Sequence, residues 1–217
     1  MATERTRGLY AALRNPILYE TVQRVMGAEK GRRDFAVQFV RANPGDRVLD
    51  IGCGPADLLV HLPDVEYFGW EPNAAYVEKA RATYGDRGTF NVGLFGLEEA
   101  RSLAPVDIAI VSAVLHHMDD AQVDELFALL RQVLKPGGRV ITADNVFIKR
   151  QNPIARLLIS LDRGRHVRTP EGYEALARRT FKRVDSAVIK KAFPPYTLFF
   201  MTARLSPDEN SLDNTAP

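Results

Sequence analysis

The residues with the clearest chemical potential form the stretch R-V-L-D-I-G-C-G-P at positions 47–55. The apolar residues at 48, 49 and 51 are typical of a strand buried inside a parallel sheet. Gly52 and Gly54 follow, and two such glycines let the backbone turn sharply and approach a ligand without a Cβ in the way. Pro55 then suits the first turn of a helix, where its missing N–H costs nothing. A strand, a glycine turn and a helix are the plan of a nucleotide site, with the ligand beyond the carboxyl ends of the strands.

Two carboxylates accompany this turn. The dinucleotide-binding fingerprint has a third glycine three residues after the second, and this chain has Asp57 there. A pyrophosphate would meet a carboxylate at that point, which is the wrong sign of charge. The acidic pair Asp50 and Asp57 therefore favours a ligand that carries a positive charge.

A second strand is predicted over residues 65–70, and Glu71 and Pro72 follow it directly. An acidic residue about 20 positions after the glycine turn is placed to bind a ribose. Its two oxygens accept two hydrogen bonds side by side, which matches a ribose diol. We predict that Glu71 binds ribose; helix capping or a surface position is the alternative.

Two adjacent histidines, His116 and His117, follow the strand predicted over residues 106–111. Histidine titrates near neutral pH and is the best candidate for a general base. Adjacent side chains point in different directions, so we expect only one of them to face a substrate. The alternative is that one packs near the ligand and the other faces solvent. Adjacent histidines do not form a metal-ligand pair by themselves, and we predict no metal site.

Composition sets the class of protein. The chain has 217 residues, 46% of them hydrophobic, which suffices for the core of a single domain. A net charge of +2 gives no global signature of a polyanion partner. The sole cysteine, Cys53, excludes an intramolecular disulfide. Since no apolar run reaches the length of a signal peptide or a membrane span, we expect a cytoplasmic protein.

Periodicity places the remaining elements around these residues. Further helices are predicted over 16–26, 30–41, 73–84, 119–134, 153–161 and 170–180, and further strands over 89–92, 139–143, 181–188 and 196–205. Asp119 or Asp120 is the expected cap of the long helix. Asp144 and Asn145 come at the carboxyl end of the fifth strand, where they would face the site.

Three segments resemble landmarks of the class I S-adenosylmethionine-dependent methyltransferases. V-L-D-I-G-C-G-P is similar to the first motif of that family, V-L-H-H at 114–117 resembles its small-molecule branch, and L-K-P-G-G-R-V at 134–140 resembles a further landmark. The resemblance covers about residues 30–205. It implies an α/β fold with a doubly wound, Rossmann-like sheet of seven mostly parallel strands, the last one antiparallel, and helices on both faces.

The resemblance also implies the cofactor, S-adenosylmethionine, with S-adenosylhomocysteine as the product. The cofactor-binding positions would be Asp50, Gly52, Cys53, Gly54, Glu71, Pro72, Leu94, Phe95, Ser112 and His117. The family often has an acidic residue for the adenine amino group where this chain has Leu94. Adenine would then be held by apolar contact with Leu94 or Phe95 and by backbone groups.

The acceptor is expected to be a small molecule, anionic or lipid-like, and no nucleic acid. Within a single domain over 1–205, residues 1–45 are predicted as a helical lid and 146–180 as a lid insertion, followed by a disordered tail over 206–217. The candidate substrate residues are Tyr10, Tyr19, Asn145, Arg163, Arg168 and Tyr196. The basic strip from Lys149 to Lys191 would bind an anionic group, or touch RNA or a membrane, or be only a solvated face.

Other functions remain open at this stage. An RNA or protein methyltransferase would use the same cofactor and the basic strip. A nicotinamide-dependent oxidoreductase would share the glycine turn and Glu71, and Asp57 argues against it. A non-catalytic protein would bind the cofactor without turnover. A P-P-Y motif at 194–196 is displaced from the place it has in enzymes that methylate nucleic-acid bases, which argues against such an activity. The sequence leaves the oligomeric state open.

Overall fold

A single sheet organises the part of the chain that the structure describes. The structure is a computed structural model that describes residues 28–161, 164–192 and 195–205. In these ranges the strands are β1 (Arg47–Ile51), β2 (Glu66–Glu71), β3 (Gly88–Val92), β4 (Val106–Ser112), β5 (Leu134–Asn145), β6 (Arg183–Lys191) and β7 (Tyr196–Arg204). Their order is β3-β2-β1-β4-β5-β7-β6. Neighbours from β3 to β5 pair in parallel, and β7 is antiparallel to β5 and β6. The predicted fold class is confirmed.

Helices cover both faces of the sheet. They are α1 (Ala28–Phe35), α2 (Ala74–Tyr84), α3 (Leu97–Ser102), α4 (Asp120–Val133), α5 (Pro153–Ser160) and α6 (Pro170–Thr180). The core divides into two clusters, one on each face, and successive residues of the central strands alternate between them: Ile108 and Ile110 lie in one, Ala109 and Val111 in the other. Burial on both faces explains why β4 has an almost unbroken apolar sequence.

The start of α4 has the cap that its sequence predicts. The Asp119 side chain accepts a hydrogen bond from the Gln122 backbone N–H at 2.9 Å, and the Gln122 side chain accepts one from the Asp119 N–H at 2.9 Å. This reciprocal capping box satisfies two N–H groups that the helix leaves without partners. Asp119, rather than Asp120, is therefore the cap.

Three local features differ from the sequence-based expectation, although the helix predicted over 30–41 does form. The helix expected from Pro55 does not form; residues 52–58 are turns, and only Leu59–His61 winds into a 3-10 turn. Ala56 has a positive φ of 56°, which interrupts helical winding. After α1 the chain widens into a π-type turn over Ala36–Val40, which ends at the left-handed Arg41.

The third difference concerns β5. It begins at Leu134, which pairs with Val106, and a bulge shifts the register before Arg139 pairs with Ile108. The predicted turn at 135–138 is therefore an irregular part of the strand rather than a separate turn before it.

Asp119→Ala is expected to lower the free energy of unfolding by about 1 kcal/mol, because the α4 capping box is lost. Urea unfolding followed by circular dichroism measures this. Glu125→Ala, at an exposed position within the same helix, removes an equal charge and is expected to change stability by less than half as much. Equal losses in the two variants would contradict a specific role for the cap.

Candidate functional site

The glycine turn meets the end of β4 at the carboxyl edge of the sheet. Ile51 pairs with Val111, so the chain leaves both strands at the same level. Gly52 has a φ of +69°, and a Cβ on it would lie 2.5 Å from Cγ2 of Val114. Only glycine allows this approach without strain. The glycine turn and the segment after β4 therefore lie in close contact where the first and fourth strands end.

Glu71 connects the end of β2 to the glycine turn. Its carboxylate accepts hydrogen bonds from the backbone N–H groups of Gly54 at 3.1 Å and Asn73 at 2.8 Å. Each carboxylate oxygen has a second lone pair for another donor. Pro72 is exposed beside it. The geometry agrees with a ribose-binding role for Glu71, which remains a prediction.

Asp50 lies beneath the turn rather than in the open crevice. It is 4% exposed, and its Oδ2 accepts a 2.6 Å hydrogen bond from the Tyr67 hydroxyl. Burial raises the pKa of Asp50 to about 7; the Tyr67 hydrogen bond opposes this rise, and the negative charge of Glu71 adds to it. Asp50 thus supports the turn through its buried side chain, a placement that differs from the expected ligand contact.

The other two polar groups of the turn are also engaged by the protein. Cys53 is half-buried and packs against Gly69, where a Cβ would lie 2.7 Å from its sulfur. Burial is the main cause that raises the pKa of its thiol. Asp57 forms an ion pair with Arg32 of α1 at 2.9 Å. The negative pair expected from Asp50 and Asp57 is therefore largely neutralised, and Glu71 is the carboxylate closest to the ligand side of the turn.

The residues predicted for adenine have different environments. Leu94 follows β3 and is 78% exposed, whereas Phe95 is 8% exposed and packs edge to face against Trp70 at 5.1 Å. Of the two, Leu94 is the one that has surface to offer to a ligand.

The two histidines separate as expected. His116 is 2% exposed, and its Nδ1 lies 2.8 Å from Oδ1 of Asp144, which also accepts the His116 backbone N–H at 3.2 Å. His117 is exposed, with its ring 4.2 Å from that of His116. Ser112 ends β4 at the same edge and is half-buried.

Asp144 is itself a perturbed group. Burial raises the pKa of its carboxyl, and the hydrogen bond and charge of His116 oppose this rise. Its Oδ2 is buried and has no hydrogen-bond partner among the described residues. A buried carboxyl beside one imidazole is a common arrangement of proton-transfer sites.

Arg168 has a structural role that the sequence did not reveal. Its guanidinium donates to the carbonyl oxygens of Leu115 at 3.0 Å and Met118 at 2.8 Å, and it binds the Asp120 carboxylate at 2.6 Å. These contacts hold the turn that carries both histidines. The prediction that Arg168 binds a substrate anion is therefore corrected: its donors are occupied by the protein.

The segment before Arg168 covers the buried histidine. The His166 N–H donates to the His116 carbonyl at 3.0 Å. A Cβ on Gly164 would lie 2.1 Å from Cδ2 of His116. The glycine is required there because the backbone lies directly against the imidazole.

The remaining candidate residues lie apart from the histidines or outside the description. Asn145 is 6% exposed, and its carbonyl accepts a 3.0 Å hydrogen bond from the Tyr173 hydroxyl. Tyr196 is half-buried at the start of β7. Tyr10, Tyr19 and Arg163 lie outside the described residues, as do residues 1–27 of the predicted lid and the predicted tail at 206–217.

The basic strip is not one open face. Arg178 binds Glu174, Arg179 binds Asp124, and Arg156 lies over the ring of Phe147. These three cations are thus used separately by neighbouring elements. In the described ranges, no three or more potential ligand side chains are grouped as a metal site would need, and no helix has the length and apolarity to cross a membrane.

Sequence reasoning missed the partners of the key side chains. It placed Asp144 near the site but did not pair it with His116, and it did not connect Tyr67 with Asp50. The first pairing had a signal: residues that follow neighbouring parallel strands meet at one edge of the sheet.

Comparison with known proteins gives a consistent family. A family model described as a methyltransferase domain matches residues 49–140. An uncharacterized methyltransferase of Geobacillus kaustophilus is 31% identical over 116 residues, which are 52% of this chain and 54% of that protein. The O-methyltransferase cnsE of Penicillium expansum is 28% identical over 77% of this chain and 64% of its own length. The 27-O-demethylrifamycin SV methyltransferase of Amycolatopsis mediterranei is 28% identical over 76% and 55%. The chain thus spans between about half and two thirds of the length of these relatives.

Solved structures agree on the fold. The pyocyanin biosynthetic protein PhzM matches with a TM-score of 0.69 and 20% identity, over 92% of this chain and 62% of that one. Human N-acetylserotonin methyltransferase, solved in complex with its methyl donor, matches with a TM-score of 0.64 and 18% identity, over 94% and 60%.

Asp50→Asn is expected to change how stability depends on pH. The native carboxyl, with a pKa of about 7, holds a proton that the unfolded chain releases near pH 4. The free energy of unfolding of the wild type therefore falls as pH rises from about 4 to about 7. The variant lacks this loss. Over that pH window its free energy of unfolding should therefore rise relative to that of the wild type, by a few kcal/mol at most.

Urea unfolding at several pH values measures the difference. Asp86→Asn, on an exposed turn, removes an equal charge and should follow the wild-type profile. Parallel profiles for Asp50→Asn and the wild type would show that the buried carboxyl does not carry the effect.

Proposed function

We propose that the chain is a class I S-adenosylmethionine-dependent methyltransferase that transfers a methyl group to an oxygen atom of a small, largely apolar molecule. The observation that carries this proposal is the buried His116–Asp144 pair at the carboxyl edge of β4 and β5. A hydroxyl acceptor must lose a proton, and this pair is built to take one. Two of the relatives are named for O-methylation or O-demethylated substrates, which favours oxygen as the acceptor atom.

The residues at the crevice fit the cofactor. Positive φ angles at Gly52 and Gly54 open the backbone of the turn, Glu71 has lone pairs for the ribose, and the exposed Leu94 offers an apolar wall for adenine. Ser112 and His117 are the candidates for the methionine end. When bound, S-adenosylmethionine supplies an electrophilic methyl group on a sulfonium.

The chain's own contribution is then orientation and proton transfer. Aligning the acceptor oxygen can supply roughly 7–11 kcal/mol of the barrier. Because Nδ1 of His116 lies beside Asp144, we assign Nε2 as the ring nitrogen that receives the hydroxyl proton. Asp144 fixes the ring and stabilises the imidazolium that forms, and the burial of the pair keeps bulk water from the base.

The apolar nature of the acceptor follows from the surroundings of the site. The guanidinium donors of Arg168 are used by the turn that carries the two histidines and by Asp120. The described residues therefore offer little support for an anionic acceptor. By contrast α5, within the insertion at 146–180, exposes large apolar side chains: Ile154 at 58%, Leu157 at 58% and Leu158 at 36%. We propose that this insertion covers a lipid-like or aromatic acceptor.

Glu71→Gln is expected to weaken S-adenosylmethionine and S-adenosylhomocysteine binding at least tenfold, because a charged acceptor for the ribose is lost. Isothermal titration calorimetry with each ligand measures this. Glu78→Gln, at an exposed position on α2, removes the same charge and should bind as the wild type does. If the wild type binds neither ligand, the cofactor assignment is wrong.

His116→Gln and Asp144→Asn are each expected to lower the rate of methyl transfer roughly a hundredfold. With saturating S-adenosylmethionine, His117→Gln should keep most of the rate, and His61→Gln, on the 3-10 turn Leu59–His61, is the matched control. The assay uses methyl-labelled S-adenosylmethionine with a panel of phenols and apolar alcohols, and calorimetry confirms that each variant still binds the cofactor. A loss confined to His117→Gln would assign the base to the exposed histidine instead.

A further inference from the structure

A cavity lies away from the glycine turn, at the end of the sheet opposite the carboxyl ends of β1 and β4. It has a volume of about 260 Å³ and lies between the π-type turn and the strands β5, β7 and β6. Arg139 lines it from β5, Arg204 from the last position of β7, and Arg41 from the residue after the π-type turn. Among the described residues of its lining, Asp185 is the one acidic side chain. Nothing in the methyl-transfer proposal uses these residues.

The sheet register concentrates positive charge at this edge. Arg183 pairs with Arg204, and Arg204 pairs with Arg139. Residues directly opposite each other on neighbouring strands point to the same face, and like charges in this arrangement are destabilising. Beyond its backbone pairing in the sheet, the Arg204 side chain forms no hydrogen bond or ion pair with the residues that the structure describes, and Asp185 forms no ion pair with these arginines there. Asp46 and Asp107 offset part of the charge of Arg139 from a distance, but no carboxylate is ion-paired with Arg139 or Arg204 among the described residues.

The protein holds two of the guanidinium groups in place. Nη2 of Arg139 donates to the carbonyl oxygens of Val40 at 2.8 Å and Arg41 at 2.9 Å. Nε of Arg41 donates to the Gln38 carbonyl at 2.8 Å. Burial, followed by the charge of Arg204, lowers the pKa of Arg139. The conformational entropy of the Arg139 and Arg41 side chains is thus lost on folding rather than on ligand binding.

The rest of the lining is apolar or neutral. Phe39 and Phe200 stack at 4.2 Å with their planes 12° apart, and Thr202 supplies a hydroxyl. The volume lies below the range of about 300–1,000 Å³ that is usual for drug-sized ligands. A fitting ligand is therefore small.

We propose that this cavity is a binding site for a phosphate-type oxyanion, either free or carried as a monoester on a small organic group. The planar fork of an arginine matches the oxygens of a phosphate, and three arginines against one aspartate leave the cavity positive. The Phe39–Phe200 stack gives an organic group of the ester an apolar wall. The site is separate from the methyl-transfer crevice, so its test does not depend on the proposed activity.

The test is calorimetric titration of the full chain with inorganic phosphate and with phenyl phosphate, at constant ionic strength set with sodium chloride. Saturable binding of at least one is expected, weakened about tenfold in Arg204→Gln. Arg87→Gln, an exposed arginine next to β3, loses the same charge and should bind as the wild type does. Tighter binding of phenyl phosphate would identify the monoester as the source, and equal binding the free anion.

Two outcomes would overturn the proposal. One is the absence of saturable binding of both probes to the wild type. The other is equal weakening in Arg204→Gln and Arg87→Gln, which would mean that net charge alone attracts the anion. Thermal unfolding and S-adenosylmethionine binding, unchanged in Arg204→Gln, establish that the fold is intact.

Discussion

The alignment of β4 with β5 is the constraint on which the site depends. Ser112 pairs with Ala143, and the Ala113 N–H donates to the Ala143 carbonyl at 2.7 Å. Asp144 comes one residue further along β5, so its carboxyl meets the turn that follows β4 and binds His116 there. A shift of one residue would turn Asp144 to the other face of the sheet. The glycine turn and Glu71 are placed by the same parallel register one and two strands away.

Much of this arrangement follows from the sequence because its signals are local. The helical period, the capping residues of α4 and the glycine turn each lie within a few residues, and the structure confirms the elements they predict. The pairing of Asp57 with Arg32 and the contacts of Arg168 with Leu115 and Met118 join residues far apart in the chain. Such contacts depend on tertiary packing, which a residue's type does not reveal. The helix expected after Pro55 is missing because Ala56 has a left-handed conformation, which interrupts helical winding there. The residue type alone does not predict this conformation.

Three carboxylates near the crevice are stabilised in three different ways. Asp50 is buried with the Tyr67 hydroxyl, Asp144 is buried with an imidazole, and Glu71 is bound by backbone N–H groups at the edge of the crevice. Burial raises the pKa of Asp50 and of Asp144, and the Tyr67 hydroxyl and the His116 imidazole respectively oppose that rise. The site thus combines one carboxylate suited to bind a ligand with one suited to assist proton transfer and one that supports the turn.

The strand order leaves β6 at one edge of the sheet. The edge of a sheet presents unpaired N–H and C=O groups that can recruit a strand from another chain and begin aggregation. Here Arg183, Asp185, Lys190 and Lys191 place charge along that edge, at both ends of the strand. A second sheet that approached β6 would have to desolvate these groups. The charged side chains of β6, which lie beside Arg204 and Arg139 of the proposed anion site, therefore also protect the molecule against edge-to-edge association.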